Sequence, residues 1–104
     1  MKNLLNETLE ILKNMGKKQK DILKIGTKDF YIPLNAWKRV LNIEYDSGYG
    51  TAEIDKTLTI IFKDGSWLER VEYDGLEWWE IKKTPVVGKS KFKETSLARI
   101  VLGF

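Results

Sequence analysis

The chain contains no cysteine and no histidine, and only two of its 104 residues are proline. It therefore has no disulfide, no thiolate or imidazole nucleophile, and none of the usual structural zinc ligands. Carboxylates, lysine and tyrosine remain for acid–base chemistry, and carboxylates for a hard metal ion. These absences count against most classes of enzyme, and we predict a protein without catalytic residues, cofactor or metal; a carboxylate metal enzyme is the least favoured alternative.

Long apolar runs are missing as well. No stretch approaches the roughly 18 residues that a membrane span needs. The N-terminal stretch MKNLLNETLEILKNM carries glutamates within its apolar pattern and lacks the small-residue cleavage site of a signal peptide. We therefore expect a cytoplasmic protein that does not enter a membrane. We divide it into a single α+β domain at residues 1–85 and a basic C-terminal arm or short terminal element at residues 86–104.

Charge of each sign is unevenly distributed. Residues 1–43 hold nine basic and four acidic residues, residues 44–80 hold three and ten, and residues 81–104 hold six and one. The segments either attract one another within the fold or present acidic and basic faces to different partners. The candidate nucleic-acid-binding residues are Lys17, Lys18, Lys20, Lys89, Lys91 and Lys93.

The first part of the chain predicts two helices and a hairpin. Asn3 can cap a helix whose leucines repeat at helical spacing, and Gly16 can end it. Two short strand patterns follow at residues 22–25 and 29–32. Pro33 suits the first turn of a second, short helix.

Two Asp-Gly pairs, at residues 64–65 and 74–75, predict two-residue type I′ turns between antiparallel strands. The first turn would place Phe62 opposite Trp67, and the second would place Arg70 opposite Trp79. The predicted core face then collects Leu58, Ile60, Phe62, Trp67, Val71, Tyr73, Leu76 and Trp78. The predicted fold is α+β: an N-terminal helix, a short β-hairpin, a short helix and a three-stranded antiparallel meander, with the helices packed on one face.

In this arrangement Trp79 lies outside the core. It is either a cation–π partner of Arg70 or an anchor for a protein partner, because tryptophan and arginine dominate binding hot spots. The predicted partner-binding residues are Trp79, Arg70, Glu72, Glu77 and Tyr49.

The same pairing places Glu69 opposite Glu80, and facing carboxylates repel each other. A basic side chain, a metal ion or solvent has to offset this repulsion. Paired carboxylates can act as acid and base, and Glu80 with Lys82 is similar to a pattern of metal-dependent nucleases. Because Glu-x-Lys is common on strands, we expect a structural role.

The stretches YDSGYG (residues 45–50) and DGSWLERVEYDGLEWWE (residues 64–80), with Pro85, resemble a group of small bacteriophage and prophage proteins. The resemblance implies a phage-encoded, non-enzymatic inhibitor of a host defence system, similar to anti-CRISPR proteins. Its partner would be a host defence protein or ribonucleoprotein, such as a CRISPR effector. Two alternatives stay open: a nucleic-acid-binding accessory protein that uses the basic termini, and a nucleotide-sequestering protein that uses Arg70 and Trp79.

Overall fold

The protein is represented by a computed structural model, which describes residues 1–46, 51–91 and 93. In chain order the elements are β1 (Lys2–Asn3), α1 (Leu4–Asn14), a 3-10 helix (Gln19–Asp21), β2 (Ile22–Gly26), β3 (Tyr31–Ile32), α2 (Trp37–Val40), β4 (Glu44–Tyr45), β5 (Thr59–Phe62), β6 (Trp67–Tyr73) and β7 (Leu76–Lys82). The chain is an α+β protein, as predicted. Within the described ranges, no helix is long and apolar enough to cross a membrane.

Helix α1 begins and ends where the sequence predicts. The side-chain oxygen of Asn3 accepts a hydrogen bond from the backbone N–H of Asn6 at 3.0 Å and caps the first turn. Gly16 follows the helix at a φ of +70°, a left-handed conformation that glycine adopts without steric cost. The buried residues of the helix are Leu4, Thr8 and Leu12.

Within the described residues, five strands form one antiparallel sheet in the order β3-β2-β5-β6-β7. The sequence predicts a hairpin and a separate three-stranded meander, but β2 pairs with β5 and joins them into a single sheet. A register shift next to Leu23 leaves that side chain exposed and lets Ile22 and Ile25 both face the core. A buried row crosses four strands through Ile32, Ile25, Ile60 and Leu68.

The N-terminus of α1 is fixed by a second, two-stranded sheet, in which β1 pairs with β4. The backbone N–H of Leu4 donates to the carbonyl of Ile43 at 2.9 Å. The short helix predicted after Pro33 is present as α2 and buries Trp37. The indole N–H of that tryptophan donates to the side chain of Gln19 at 2.5 Å, so α2 is tied to the segment that leads into β2.

The first Asp-Gly loop has three residues instead of the predicted two. The backbone N–H of Phe62 donates to the carbonyl of Ser66 at 2.9 Å, and Gly65 has a φ of +88°. A three-residue loop that ends on a left-handed glycine shifts the pairing by one residue. Ile61, and not Phe62, therefore lies opposite Trp67. The predicted register across this loop is wrong.

The second Asp-Gly loop is as predicted. Asp74 and Gly75 both have positive φ, and the pairing from Tyr73 with Leu76 to Glu69 with Glu80 is confirmed. Because only the first loop differs, all side chains of β6 and β7 lie on the face opposite to the predicted one. The predicted core residues Trp67, Val71, Tyr73, Leu76 and Trp78 are exposed or half-buried, whereas Leu68, Arg70, Glu77 and Trp79 are buried.

Candidate interaction surface

One face of the five-stranded sheet is exposed, and we call it the open face. Strand alternation places every second residue on it. Trp78 at 36% and Ile61 at 38% relative exposure give it apolar surface. Its residues are Lys24, Tyr31, Thr59, Ile61, Trp67, Glu69, Val71, Tyr73, Leu76, Trp78, Glu80 and Lys82.

The two tryptophans of the open face stand on neighbouring strands. Trp67 on β6 lies in a row between Ile61 of β5 and Lys82 of β7. Trp78 on β7 lies opposite Val71. The Trp67 indole is held by its hydrogen bond to Glu69, and a tryptophan side chain has only two rotatable bonds, so a partner that contacts these rings loses little conformational entropy on binding. These two rings therefore have the features of binding hot spots.

The carboxylates of Glu69 and Glu80 lie on the same face, directly opposite each other. Each accepts a hydrogen bond from its own chain: Glu69 from the Trp67 indole at 3.2 Å, and Glu80 from the Lys82 ammonium at 3.0 Å. The hydrogen bond and the charge of Glu80 raise the pKa of Lys82. These donors offset the repulsion between the carboxylates. Among the described residues, no group of three or more potential ligands could hold a metal ion.

A groove of about 470 Å³ lies beside the hairpin of β2 and β3. Lys24 and Lys28 contribute positive charge to its lining, and Tyr31 contributes an exposed aromatic ring. Gly26 is required where the two strands meet, because a Cβ there would come within 2.4 Å of the Phe30 carbonyl oxygen. Asp29 also lines the groove, which therefore extends the open face with a border of mixed charge.

The predicted binding residues Arg70, Glu77 and Trp79 lie on the opposite, buried face. The Arg70 guanidinium donates to Glu7 at 3.0 Å and to Glu77 at 3.3 Å, and it lies 4.9 Å from the centre of the Trp79 ring. The Trp79 indole donates to the Thr8 hydroxyl of α1 at 2.8 Å. The predicted contact between Arg70 and Trp79 is present, but both side chains are core residues. They cannot serve as an exposed anchor or cradle a nucleobase.

Tyr45 completes this buried cluster. Its hydroxyl donates to the carboxylate of Glu7 and accepts a hydrogen bond from Arg70 at 3.2 Å. Burial, together with the hydrogen bond to Glu7, raises the pKa of Tyr45 to about 12. Burial by itself would lower the pKa of Arg70, but the hydrogen bond with Tyr45 and the charge of Glu7 raise it. The guanidinium therefore stays charged inside the domain.

Glu77 connects the buried cluster to the loop before β5. Its carboxylate accepts the backbone N–H of Glu53 at 2.8 Å and that of Ile54 at 3.2 Å. Arg70 lies on the same carboxylate. A buried charge is tolerated when it is paired and hydrogen-bonded in this way. The acidic residue that we predict as part of a binding rim therefore holds a loop in place.

The remaining predicted site residues fall into separate places. Glu72 is half-buried and accepts the backbone N–H of Gly75 at 3.0 Å, so it stabilises the hairpin turn. Tyr49 lies outside the described residues. Lys17 pairs with Asp64. The other lysines predicted for nucleic-acid binding are exposed and lie outside secondary structure or in the 3-10 helix: Lys18, Lys20, Lys89, Lys91 and Lys93.

Comparisons with protein-family models, with curated proteins and with solved structures give no match for this chain. The candidate surface therefore depends on geometry alone. The sequence interpretation missed Trp67 and Trp78 as surface residues because it assigned the wrong loop length. The local sequence does not separate the two loop lengths, because Asp64-Gly65 fits a two-residue loop and also a three-residue loop with glycine at its last position, the next commonest hairpin connection.

Proposed function

We propose that this chain is a non-enzymatic protein that binds a partner protein through its open face. The observation that carries the proposal is that Trp67 and Trp78 lie on the same exposed face, one on each side of the Glu69–Glu80 pair. Exposed tryptophan side chains are enriched in protein interfaces and at their binding hot spots. The two carboxylates could serve acid–base chemistry, but each already holds a donor of its own chain, which supports binding over catalysis.

The resemblance to phage proteins extends this proposal to a class of partner. We infer a host defence protein or ribonucleoprotein, with a CRISPR effector as the leading example. The open face carries two carboxylates and two lysines, and the adjacent carboxylates of Glu69 and Glu80 favour a basic group of the partner opposite them. The nucleic-acid-binding groove of such an effector has basic groups of this kind. Binding there would inhibit the effector by occupying the place of its nucleic acid.

The test is capture of partners from a host lysate that carries the defence system, with and without nuclease treatment. We expect the captured protein to survive nuclease. Trp78→Ala should lower its affinity by more than about tenfold, equivalent to about 1.4 kcal/mol. Leu34→Ala is the matched control, because Leu34 is similarly exposed, at 41%, but lies in the turn before α2. Undiminished binding by the Trp78 variant would overturn the proposed surface.

A second candidate function is binding of nucleic acid, and one observation favours it. A groove of about 360 Å³ lies between the end of α1 and α2, and none of the described residues that line it is acidic. Its basic lining residues are Lys13, Lys17, Lys18 and Lys38. Lys17 is paired with Asp64, and the three other ammonium groups, of Lys13, Lys18 and Lys38, suit a phosphate backbone. This groove includes two of the lysines that the sequence predicts for nucleic-acid binding.

Fluorescence anisotropy with single- and double-stranded DNA and RNA tests this second function. Binding through the groove should weaken steeply with salt, because each lysine contact releases a counterion. The double change Lys18→Glu with Lys38→Glu should abolish it. Lys56→Glu with Lys63→Glu, an equal change of charge at exposed positions outside the groove, should lower affinity much less. Equal losses in the two double variants would indicate a general charge effect and no site.

A further inference from the structure

The two edges of the five-stranded sheet differ in how they are protected. The edge strand β3 has two residues, Tyr31–Ile32, and Pro33 follows it directly. The edge strand β7 has seven residues, Leu76–Lys82, and its pairing with β6 is regular along its whole length. Short strands, proline, bulges and charged side chains are devices that keep a sheet edge from pairing with another chain. Strand β3 is short and is followed by proline. Strand β7 is long and regular and has no proline before Pro85, and its charged side chains are Glu77, Glu80 and Lys82.

The backbone of β7 is oriented for such pairing. Tyr73 and Leu76 flank a two-residue turn and therefore form a hydrogen-bonded pair, after which bonded and non-bonded pairs alternate. The N–H and C=O groups of Trp79 and Ile81 consequently point away from β6, toward the free edge. In the described part of the chain, neither N–H donates to another segment. The edge thus presents backbone donors and acceptors that a further strand can use.

We propose that β7 pairs with β7 of a second copy of this chain, antiparallel, about a two-fold axis at Ile81. Charge selects this register. With the axis at Ile81, Lys82 lies opposite Glu80 of the second copy on the same face of the sheet. By symmetry, Glu80 lies opposite Lys82 of the second copy, so the dimer contains two attractive charge pairs. An axis at Glu80 would place two glutamates opposite each other. An axis at Trp79 would place Glu80 opposite an uncharged Trp78.

The ends of the strand fit the same register. Pro85 would lie opposite Glu77 of the second copy, so the pairing stops at a residue that has no N–H to donate. Ile81, which is 38% exposed, would lie against its own symmetry mate. Trp79 would pair with Lys83 through backbone groups that point toward the edge. The dimer has one continuous antiparallel sheet, and its two open faces adjoin across the axis.

The first test measures the mass of the full-length protein by sedimentation equilibrium over a range of concentrations. We expect a reversible monomer–dimer equilibrium for the wild type. Ile81→Pro removes the N–H at the axis but none that β6 uses, and should raise the dissociation constant by at least about a hundredfold. Ile81→Ala keeps that N–H and should raise the constant much less. A wild type that stays monomeric overturns the proposal and leaves the edge to a strand of another protein.

A charge exchange tests the register and does not depend on the proline variant. Glu80→Lys and Lys82→Glu each place like charges across the axis, and each variant by itself should dimerise at least about tenfold more weakly. In an equimolar mixture of the two variants every cross-axis pair is again opposite in sign, so a mixed dimer should form with nearly wild-type affinity. A mixture no tighter than its components, or a dimer insensitive to all these changes, would show that another surface or register is used.

Discussion

Strands β6 and β7 carry a matching set of side chains on each of their two faces. The buried face has a guanidinium, a carboxylate and an indole, from Arg70, Glu77 and Trp79, and the open face has an ammonium, a carboxylate and an indole, from Lys82, Glu80 and Trp78. The chemistry of the residues therefore does not decide which set is buried. The register of the strands decides it, and one residue in the loop before β6 sets that register.

The two sets of side chains contribute differently to stability because one set is buried and the other is solvated. On the buried face the polar groups form hydrogen bonds that connect α1, β4 and the loop at Glu53 to the sheet. Because water cannot replace these hydrogen-bond partners inside the domain, the loss of one partner is costly. On the open face the pair of Glu80 and Lys82 is solvated, and an exposed ion pair adds little to stability. The buried set serves the fold, whereas the open set is accessible to a partner.

The largest expected contrast is between the adjacent tryptophans. Trp79→Ala should lower the free energy of unfolding by about 3–5 kcal/mol, because the ring packs on Arg70 and its N–H bonds Thr8. Trp78→Ala should cost about 1–2 kcal/mol, since its ring is partly in water. Urea unfolding of both variants measures the difference. Equal losses would mean that the two faces are not distinguished as described.

The two carboxylates should differ in the same way. Glu77→Gln removes the charge next to Arg70 and leaves the N–H groups of Glu53 and Ile54 with a weaker acceptor. We expect a loss of about 2 kcal/mol, the range for hydrogen bonds to charged groups. Glu80→Gln, the matched change on the open face, should leave the urea midpoint nearly unchanged. A larger loss at Glu80 than at Glu77 would contradict the assignment of faces.

The contribution of the buried Tyr45 hydroxyl to stability should depend on pH. Tyr45→Phe should cost about 1–2 kcal/mol at neutral pH, because Glu7 and Arg70 each lose a buried hydrogen bond. The folded protein holds the tyrosine proton more tightly than the unfolded chain, since its pKa is raised from 10.0 to about 12. This contribution is complete below pH 10 and is lost as the pH rises toward 12.

Thermal unfolding between pH 9 and pH 12 measures this loss. The melting temperature of the wild type should fall more steeply than that of Tyr45→Phe, and the two curves should converge at the alkaline end. Tyr73→Phe is the control, since Tyr73 is 74% exposed. Its curve should run parallel to that of the wild type. Parallel curves for the Tyr45 variant would show that its hydroxyl is not part of a buried cluster.

Gly65 tests the loop that sets the faces. Its φ of +88° favours glycine, and a Cβ there would meet no atom within 4 Å. Gly65→Ala should therefore cost about 1 kcal/mol, all of it from backbone conformation. Lys63→Ala in the same loop should be nearly neutral, because that residue is exposed. If both changes are neutral in urea unfolding, the three-residue loop with its left-handed glycine is not the conformation in solution.

Local signals in the sequence predict much of this fold, and the failures have a physical cause. The cap at Asn3, the stop at Gly16 and the turn at Asp74-Gly75 depend on a few neighbouring residues, and all are confirmed. The Asp64-Gly65 dipeptide is compatible with two loop lengths, and tertiary packing selects between them. The pairing of β2 with β5 is a contact between distant segments. No local pattern specifies it.

The candidate surface was predictable only in part for the same reason. The sequence does identify the chemistry of an interface, aromatic rings beside carboxylates, in the segment of residues 64–80. A one-residue change of register moves that chemistry from Trp79 to Trp78, because side chains alternate between faces. The pairing of Glu69 with Glu80 depends only on the second turn, and it is therefore confirmed.

The smallest expected effect concerns this carboxylate pair. Glu69→Gln removes one of two facing negative charges, while the amide oxygen can still accept the hydrogen bond from the Trp67 indole. Stability should therefore rise by a few tenths of a kcal/mol. The gain should shrink between low and high salt, because ions screen exposed charges. Glu44→Gln is the control, an exposed carboxylate on β4 whose removal changes the net charge equally. Differential urea unfolding at two salt concentrations resolves the effect. A stabilisation shared by the Glu44 variant would attribute it to net charge, and a loss at Glu69 would mean that its charge binds a donor more strongly than it repels Glu80.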